Sequence, residues 1–78
     1  MTNLEKYTQI FTTVFEIEES KLKDLEYQGI KAWDSVGHMS LISEIEDCFD
    51  IMLDTDDIIE LSTFEKGKEI LKKYDIEI

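Results

Sequence analysis

The sequence predicts an all-α fold: a small four-helix bundle of three longer helices and one short helix, with a long loop between helices 1 and 2. Three observations predict it. Apolar residues recur at helical spacing in three separate segments. No segment alternates long enough to build a sheet, since Leu53 and Ile58-Ile59 are short and isolated. The chain has 78 residues and no proline, a length that suits a single domain, residues 1–78, with a thin core.

The first helix is expected from Asn3 to Phe15. Asn3 supplies a capping side chain, and Leu4, Tyr7, Ile10, Phe11, Val14 and Phe15 follow the spacing of one face. Glu16 to Trp33 is a connection of about eighteen residues, long for a compact domain. Ser20 to Lys23 can form one turn there, Gly29 offers a backbone turn, and Ile17, Leu22, Leu25, Ile30 and Trp33 read as pins against the bundle.

The second helix is expected from Ser35 to Cys48 or Phe49. Met39, Ile42, Ile45 and Phe49 form its core stripe, broadened by Val36 and Leu41. Gly37, Ser40, Ser43, Glu44 and Asp47 form the opposite face, and Gly37 leaves the surface beside Ser35 without bulk. Asp50 to Thr55 reads as a turn burying Ile51 and Leu53, and Asp56 to Glu60 as one short helical turn. Ser62 or Thr63 caps a last helix through Tyr74. Ser62 with Glu65 has the spacing of a capping box, and Phe64, Gly67, Ile70, Leu71 and Tyr74 face inward. Lys72 and Lys73 suit the negative end of that helix.

Charge narrows the function. There are 19 acids against 8 basic residues, all lysine, for a net charge of −11. Such a chain repels nucleic acid and anionic membranes. Between Lys31 and Lys66 lie ten acids and no Lys or Arg, either solvated helix faces or a surface that steers basic partners. The N-terminus has no basic flank followed by an apolar run, and no stretch is long and apolar enough to span a membrane. The single cysteine, Cys48, excludes an intrachain disulfide and fits the cytoplasm; it reads as a packed small hydrophobe. A free-standing monomer is the expectation.

Most enzymatic constellations fail. Trp33-Asp34-Ser35-Val36-Gly37 lacks the first glycine of a hydrolase elbow and has no preceding strand. Ser35 and His38 are neighbours on a helix, but no substrate walls are evident around them. His38 and Cys48 stand about 15 Å apart along one helix. Asp54, Asp56 and Glu65 match positions of a calcium loop, yet Ile58 and Ile59 replace its oxygen donor and its glycine. One His and one Cys make no zinc set, and no glycine-rich phosphate loop exists. What remains is the hydroxyl of Ser35 at a helix start, beside Asp34, above an acidic interval. Both residues are also ordinary caps. A helix start favours a phosphate on that hydroxyl.

Asp34-Ser35-Val36, the helix from Met39 to Phe49, the acidic short-helix segment and Ser62-Thr63-Phe64 together resemble the acyl carrier proteins, in order and spacing over about the last 45 residues. The first helix and long loop match more loosely. The resemblance implies that a phosphopantetheinyl transferase moves 4'-phosphopantetheine from coenzyme A to Ser35, using magnesium. The thiol of the arm then carries an acyl group as a thioester to acyl-loading and acyl-processing enzymes with basic docking surfaces. It implies a carrier rather than an enzyme, serving fatty acid, polyketide or other specialised biosynthesis. Asp34 helps the transferase engage. Val36, Met39, Glu44, Glu46 and Asp47 on the second helix, with Asp56, Asp57 and Glu60 on the short helix, make the partner surface. Val36, Met39, Ile42, Leu53 and Ile58 lie near the acyl pocket, or are plain core. Fatty-acid-type carriers have acids where this chain has Gly37 and Ser40. Trp33 before Asp34 and Gly37-His38 after Val36 are closer to carriers of specialised pathways. The competing expectation is a small acidic helical interaction module without a covalent cofactor.

Overall fold

A computed structural model describes residues 1–78 as five helices and no strand: α1 (Asn3–Phe15), a 3-10 helix (Glu19–Asp24), α2 (Ser35–Phe49), α3 (Thr55–Glu60) and α4 (Phe64–Lys72). The radius of gyration, 11.3 Å, matches the roughly 11.5 Å expected of a compact chain of this length. The long loop is therefore packed down, not trailing. None of the helices is long and apolar enough to cross a membrane.

The cap of α1 is Thr2, one residue before the expected Asn3. Thr2 Oγ1 accepts from the Glu5 backbone N–H at 3.1 Å, and the Glu5 carboxylate accepts from the Thr2 N–H at 2.9 Å. This reciprocal pair satisfies two donors that a lone Asn3 would leave open. Asn3 instead donates its side-chain amide to the carbonyl of Glu77, tying the two ends of the chain together. The helix stops where Glu16 turns left-handed (φ 53°).

Tyr7, Ile10, Phe11 and Phe15 of α1 are buried, and Leu4 is exposed at the rim. They meet an aromatic cluster supplied by the loop and α4. Phe15 stacks on Trp33 with centroids 5.1 Å apart, and Phe11 meets Phe64 edge-on at 5.0 Å. The loop is pinned as expected, by the buried Leu22, Leu25 and Trp33 and the half-buried Ile17 and Ile30. An isolated antiparallel bridge, Glu26 with Thr63, and a bond from the Tyr27 N–H to the Ser62 carbonyl (2.7 Å) fasten it beside the start of α4.

The inward row of α2 differs from the expected stripe. It runs through His38, Leu41, Ile42, Ile45 and Phe49, while Met39 is 55% and Val36 is 76% exposed. Each residue turns the helix by about 100°, so drawing His38 inward rotates Met39 and Val36 out. Cys48, expected to be packed, is exposed.

Helix α4 is capped by Thr63, whose hydroxyl accepts from the Lys66 N–H at 2.9 Å. The expected Ser62–Glu65 box does not form, because the helix begins one residue later, with Thr63 in the cap position. Gly67 has a packing reason: a Cβ there would stand 1.9 Å from the Tyr7 hydroxyl oxygen. That hydroxyl donates to the Phe64 carbonyl at 2.7 Å. Burial pushes the Tyr7 phenol far above its ordinary range, so it stays a neutral donor.

Candidate functional site

Ser35 is the first residue of α2 and is exposed. Asp34 is the N-cap: its Oδ1 accepts from the Gly37 N–H at 2.8 Å, and its carbonyl accepts from the His38 N–H at 2.8 Å. Position 37 is glycine for a different reason from the one expected. Its surface is not empty, since the Ala32 carbonyl oxygen lies 1.9 Å from where a Cβ would be. The loop thus presses its backbone against the first turn of α2 and leaves the Ser35 side chain outside.

One protein group reaches the Ser35 hydroxyl. Tyr27 Oη lies 3.3 Å from Ser35 Oγ, and either oxygen can donate. The Tyr27 ring is held edge-on against Trp33 (6.3 Å, 85°) and His38 (5.5 Å, 69°). Sequence reasoning missed Tyr27, because a tyrosine in an irregular loop eight residues before the serine carries no periodic or motif signal.

His38 is not available to Ser35. Trp33 Nε1–H donates to His38 Nδ1 at 2.9 Å, and His38 Nε2 lies 2.7 Å from the Ile58 carbonyl oxygen. Indole nitrogen is a donor only, so Nδ1 holds the lone pair and Nε2 carries the proton given to Ile58. Both ring nitrogens are committed, which removes the Ser35–His38 pair as a catalytic arrangement. No cluster of three His, Cys, Asp or Glu side chains is placed to hold a metal ion.

The expected partner residues separate. Glu44 and Asp47 on α2 and Asp56 and Glu60 on α3 are exposed, as are Val36 and Met39. Glu46 is half-buried, and its Oε2 accepts from the Leu53 N–H at 2.9 Å, closing the turn after α2. Asp57 corrects the expectation outright. It is only 4% exposed and is bonded through Oδ1 to Lys73 Nζ and through Oδ2 to the Tyr74 hydroxyl at 2.6 Å. The Lys73 bond first, then the Tyr74 bond, hold its carboxyl below the usual carboxylate range. Asp57 therefore fastens α3 to the end of α4 and is not part of the exposed acidic surface.

The expected acyl-pocket residues also divide. A cleft of about 240 Å³ lies next to the Tyr27 ring, lined by Tyr27, His38, Ile58, Ile59, Leu61 and Ser62. Of the five residues expected near an acyl pocket, Ile58 alone lines this cleft. Ile42 and Leu53 are buried in the packed core, and Val36 and Met39 lie on the outer surface. The rotation of α2 that draws His38 inward accounts for the last two.

Comparison of the chain with protein-family models, with curated proteins and with solved structures yields no match.

Proposed function

We propose that this chain is an acyl carrier protein whose attachment point is Ser35, on a bundle of three longer helices and one short helix. The observation that carries the reading is the state of Ser35. Its hydroxyl is exposed at a helix start, next to an aspartate that caps the helix, and the nearest histidine is fully engaged elsewhere. An exposed serine hydroxyl with no histidine bonded to it suits a group transferred to it by another protein.

The residues fit 4'-phosphopantetheine. The N–H groups of Ser35 and Val36 precede the first intrahelical bond, from His38 to Asp34, and the positive end of α2 favours an anionic phosphodiester there. When bound, that group supplies the thiol that holds an acyl chain as a thioester. The chain's own part is to present Ser35, to keep Asp34 in place as cap, and to offer Glu44, Asp47, Asp56 and Glu60 with the apolar Val36 and Met39 to partners of basic surface. Those partners are a phosphopantetheinyl transferase and the enzymes that load and process the acyl group, met as a monomer in the cytoplasm.

The competing reading, an acidic interaction module without a cofactor, shares the same surface, so only Ser35 separates the two. The purified chain is incubated with coenzyme A, magnesium and a broad-range phosphopantetheinyl transferase, and its intact mass is recorded. The expected result is one added phosphopantetheine, abolished by Ser35→Ala. An unchanged mass under conditions that modify a control carrier favours the interaction module.

A further inference from the structure

We propose that Tyr27 is the positioning residue for the Ser35 hydroxyl, and that its phenol becomes a hydrogen-bond donor to the phosphodiester once Ser35 is modified. This inference rests on the carrier reading of Ser35.

The Tyr27 ring is firmly held. The Tyr27 N–H bonds the Ser62 carbonyl at 2.7 Å, and the next N–H, of Gln28 (φ 66°), bonds the Trp33 carbonyl at 2.9 Å. The turn is closed by Gly29 N–H on the Glu26 carbonyl at 2.8 Å. The ring itself rests edge-on against Trp33, which is fully buried, and against His38, whose two nitrogens are both bonded. The phenol oxygen is thereby delivered to 3.3 Å from Ser35 Oγ. A free serine hydroxyl has three staggered wells of similar depth. A bond to a fixed neighbour favours one of them.

The direction of the proton gives the residue its role. In the transfer step, Ser35 Oγ forms a bond to the β-phosphorus of coenzyme A. The bond from that phosphorus to the bridging oxygen breaks, and adenosine 3',5'-bisphosphate leaves with the electron pair. The serine proton goes to a base of the transferase. With Tyr27 donating to Ser35 Oγ, the serine proton points away from the protein, where a partner's base can take it. In the product, Oγ has no proton, so Tyr27 can only donate. The esterified Oγ is itself a weaker acceptor, but the two non-bridging phosphate oxygens beside it share the negative charge, and either accepts a shorter, stronger bond than a neutral hydroxyl does. The phenol therefore passes its hydrogen bond from Oγ to a non-bridging oxygen, where it is stronger.

Three measurements test this on the full chain. As a transferase substrate, the Tyr27→Phe chain should show a kcat/KM about three- to tenfold below that of wild-type protein, while Tm and Trp33 fluorescence stay at the wild-type values. In the modified protein, the 31P resonance of the phosphodiester should move on Tyr27→Phe. In wild-type protein, nuclear Overhauser contacts should link the Tyr27 ring protons to the Ser35 β-protons before modification. After modification they should reach the arm's methylene beside the phosphate. Equal kcat/KM and an unmoved 31P resonance overturn the inference and leave the carrier reading standing. Absence of the Overhauser contacts in wild-type protein overturns it even where the variant folds poorly. Failure of wild-type protein to be modified at all overturns the carrier reading itself, and this inference with it.

Discussion

Trp33 and His38 are joined by a hydrogen bond from indole Nε1–H to imidazole Nδ1 over 2.9 Å, with the two rings inclined by 16°. Trp33 is fully buried, so this nitrogen has no water to turn to. The same imidazole donates to the Ile58 carbonyl, so one side chain links the loop, α2 and α3. His38→Ala should leave the Trp33 N–H unsatisfied in the core and cost about 2–3 kcal/mol. Urea unfolding followed by the fluorescence of Trp33, the only tryptophan, checks it. A loss under 0.5 kcal/mol, roughly the size of a neutral surface change, would contradict the link.

Gly37→Ala should destabilise the chain, although alanine is the better helix former by up to about 1 kcal/mol. The added Cβ meets the Ala32 carbonyl oxygen at 1.9 Å, and backbone does not yield as a flexible side chain does. The expected net loss is about 1–3 kcal/mol. Any larger side chain at this position would meet the same obstacle. An unchanged or raised Tm for the variant contradicts the packing account.

Gly67 and Tyr7 should be energetically coupled. Gly67→Ala alone drives a methyl into the Tyr7 hydroxyl and should cost about 1–3 kcal/mol. Tyr7→Phe alone removes the bond to the Phe64 carbonyl and should cost about 1–2 kcal/mol. The double variant should lose less than the sum, because the methyl takes the space that the hydroxyl vacates. Additive losses in a double-mutant cycle would show that the two sites do not share that space.

Asp57 should make the fold acid-sensitive. Its carboxyl is held below the ordinary value of about 4 by Lys73 and then Tyr74. Asp57 therefore contributes stability that is complete above pH 4 and is lost as pH falls through the depressed folded value. Lys73, raised by the same partner, contributes in the opposite sense: its share is complete below about pH 10.4 and fades as pH rises through the folded value. Asp57→Asn should lower Tm at pH 7, with the gap between variant and wild type closing as pH drops below 4. A gap independent of pH would remove the ion pair from the account.

Salt should slow the transferase reaction. On the proposed carrier reading, the exposed acids Glu44, Asp47, Asp56 and Glu60 steer a basic partner, and about 8 Å of screening length at physiological ionic strength weakens that attraction. Charge-removing variants Glu44→Gln and Asp47→Asn should flatten the salt dependence. Asp57→Asn should not, since its charge is already paired with Lys73. A rate flat across ionic strength would point to apolar docking through Val36 and Met39.

The sequence by itself determined the helices and the place of the serine among them. The spans of α1 and α2 follow from apolar spacing at 3.6 residues per turn and from cap chemistry, both of which act within a few residues. That is why Asp34 could be read as a cap and Ser35 as the residue it exposes, and why the acidic interval from Asp34 to Glu65 was visible. The tertiary structure alone decided which members of those patterns face inward. Met39 and His38 are one residue apart, and periodicity does not choose between adjacent rows. The choice fell to bonds from Trp33 and to Ile58, five and twenty residues away. Asp57 looked like its neighbour Asp56 until Lys73 and Tyr74, sixteen and seventeen residues on, folded back onto it. Tyr27 came to Ser35 only because a loop without regular structure is fastened to Ser62. Interactions between residues distant in the chain leave no trace in local composition, and it is such interactions that arrange the surroundings of Ser35.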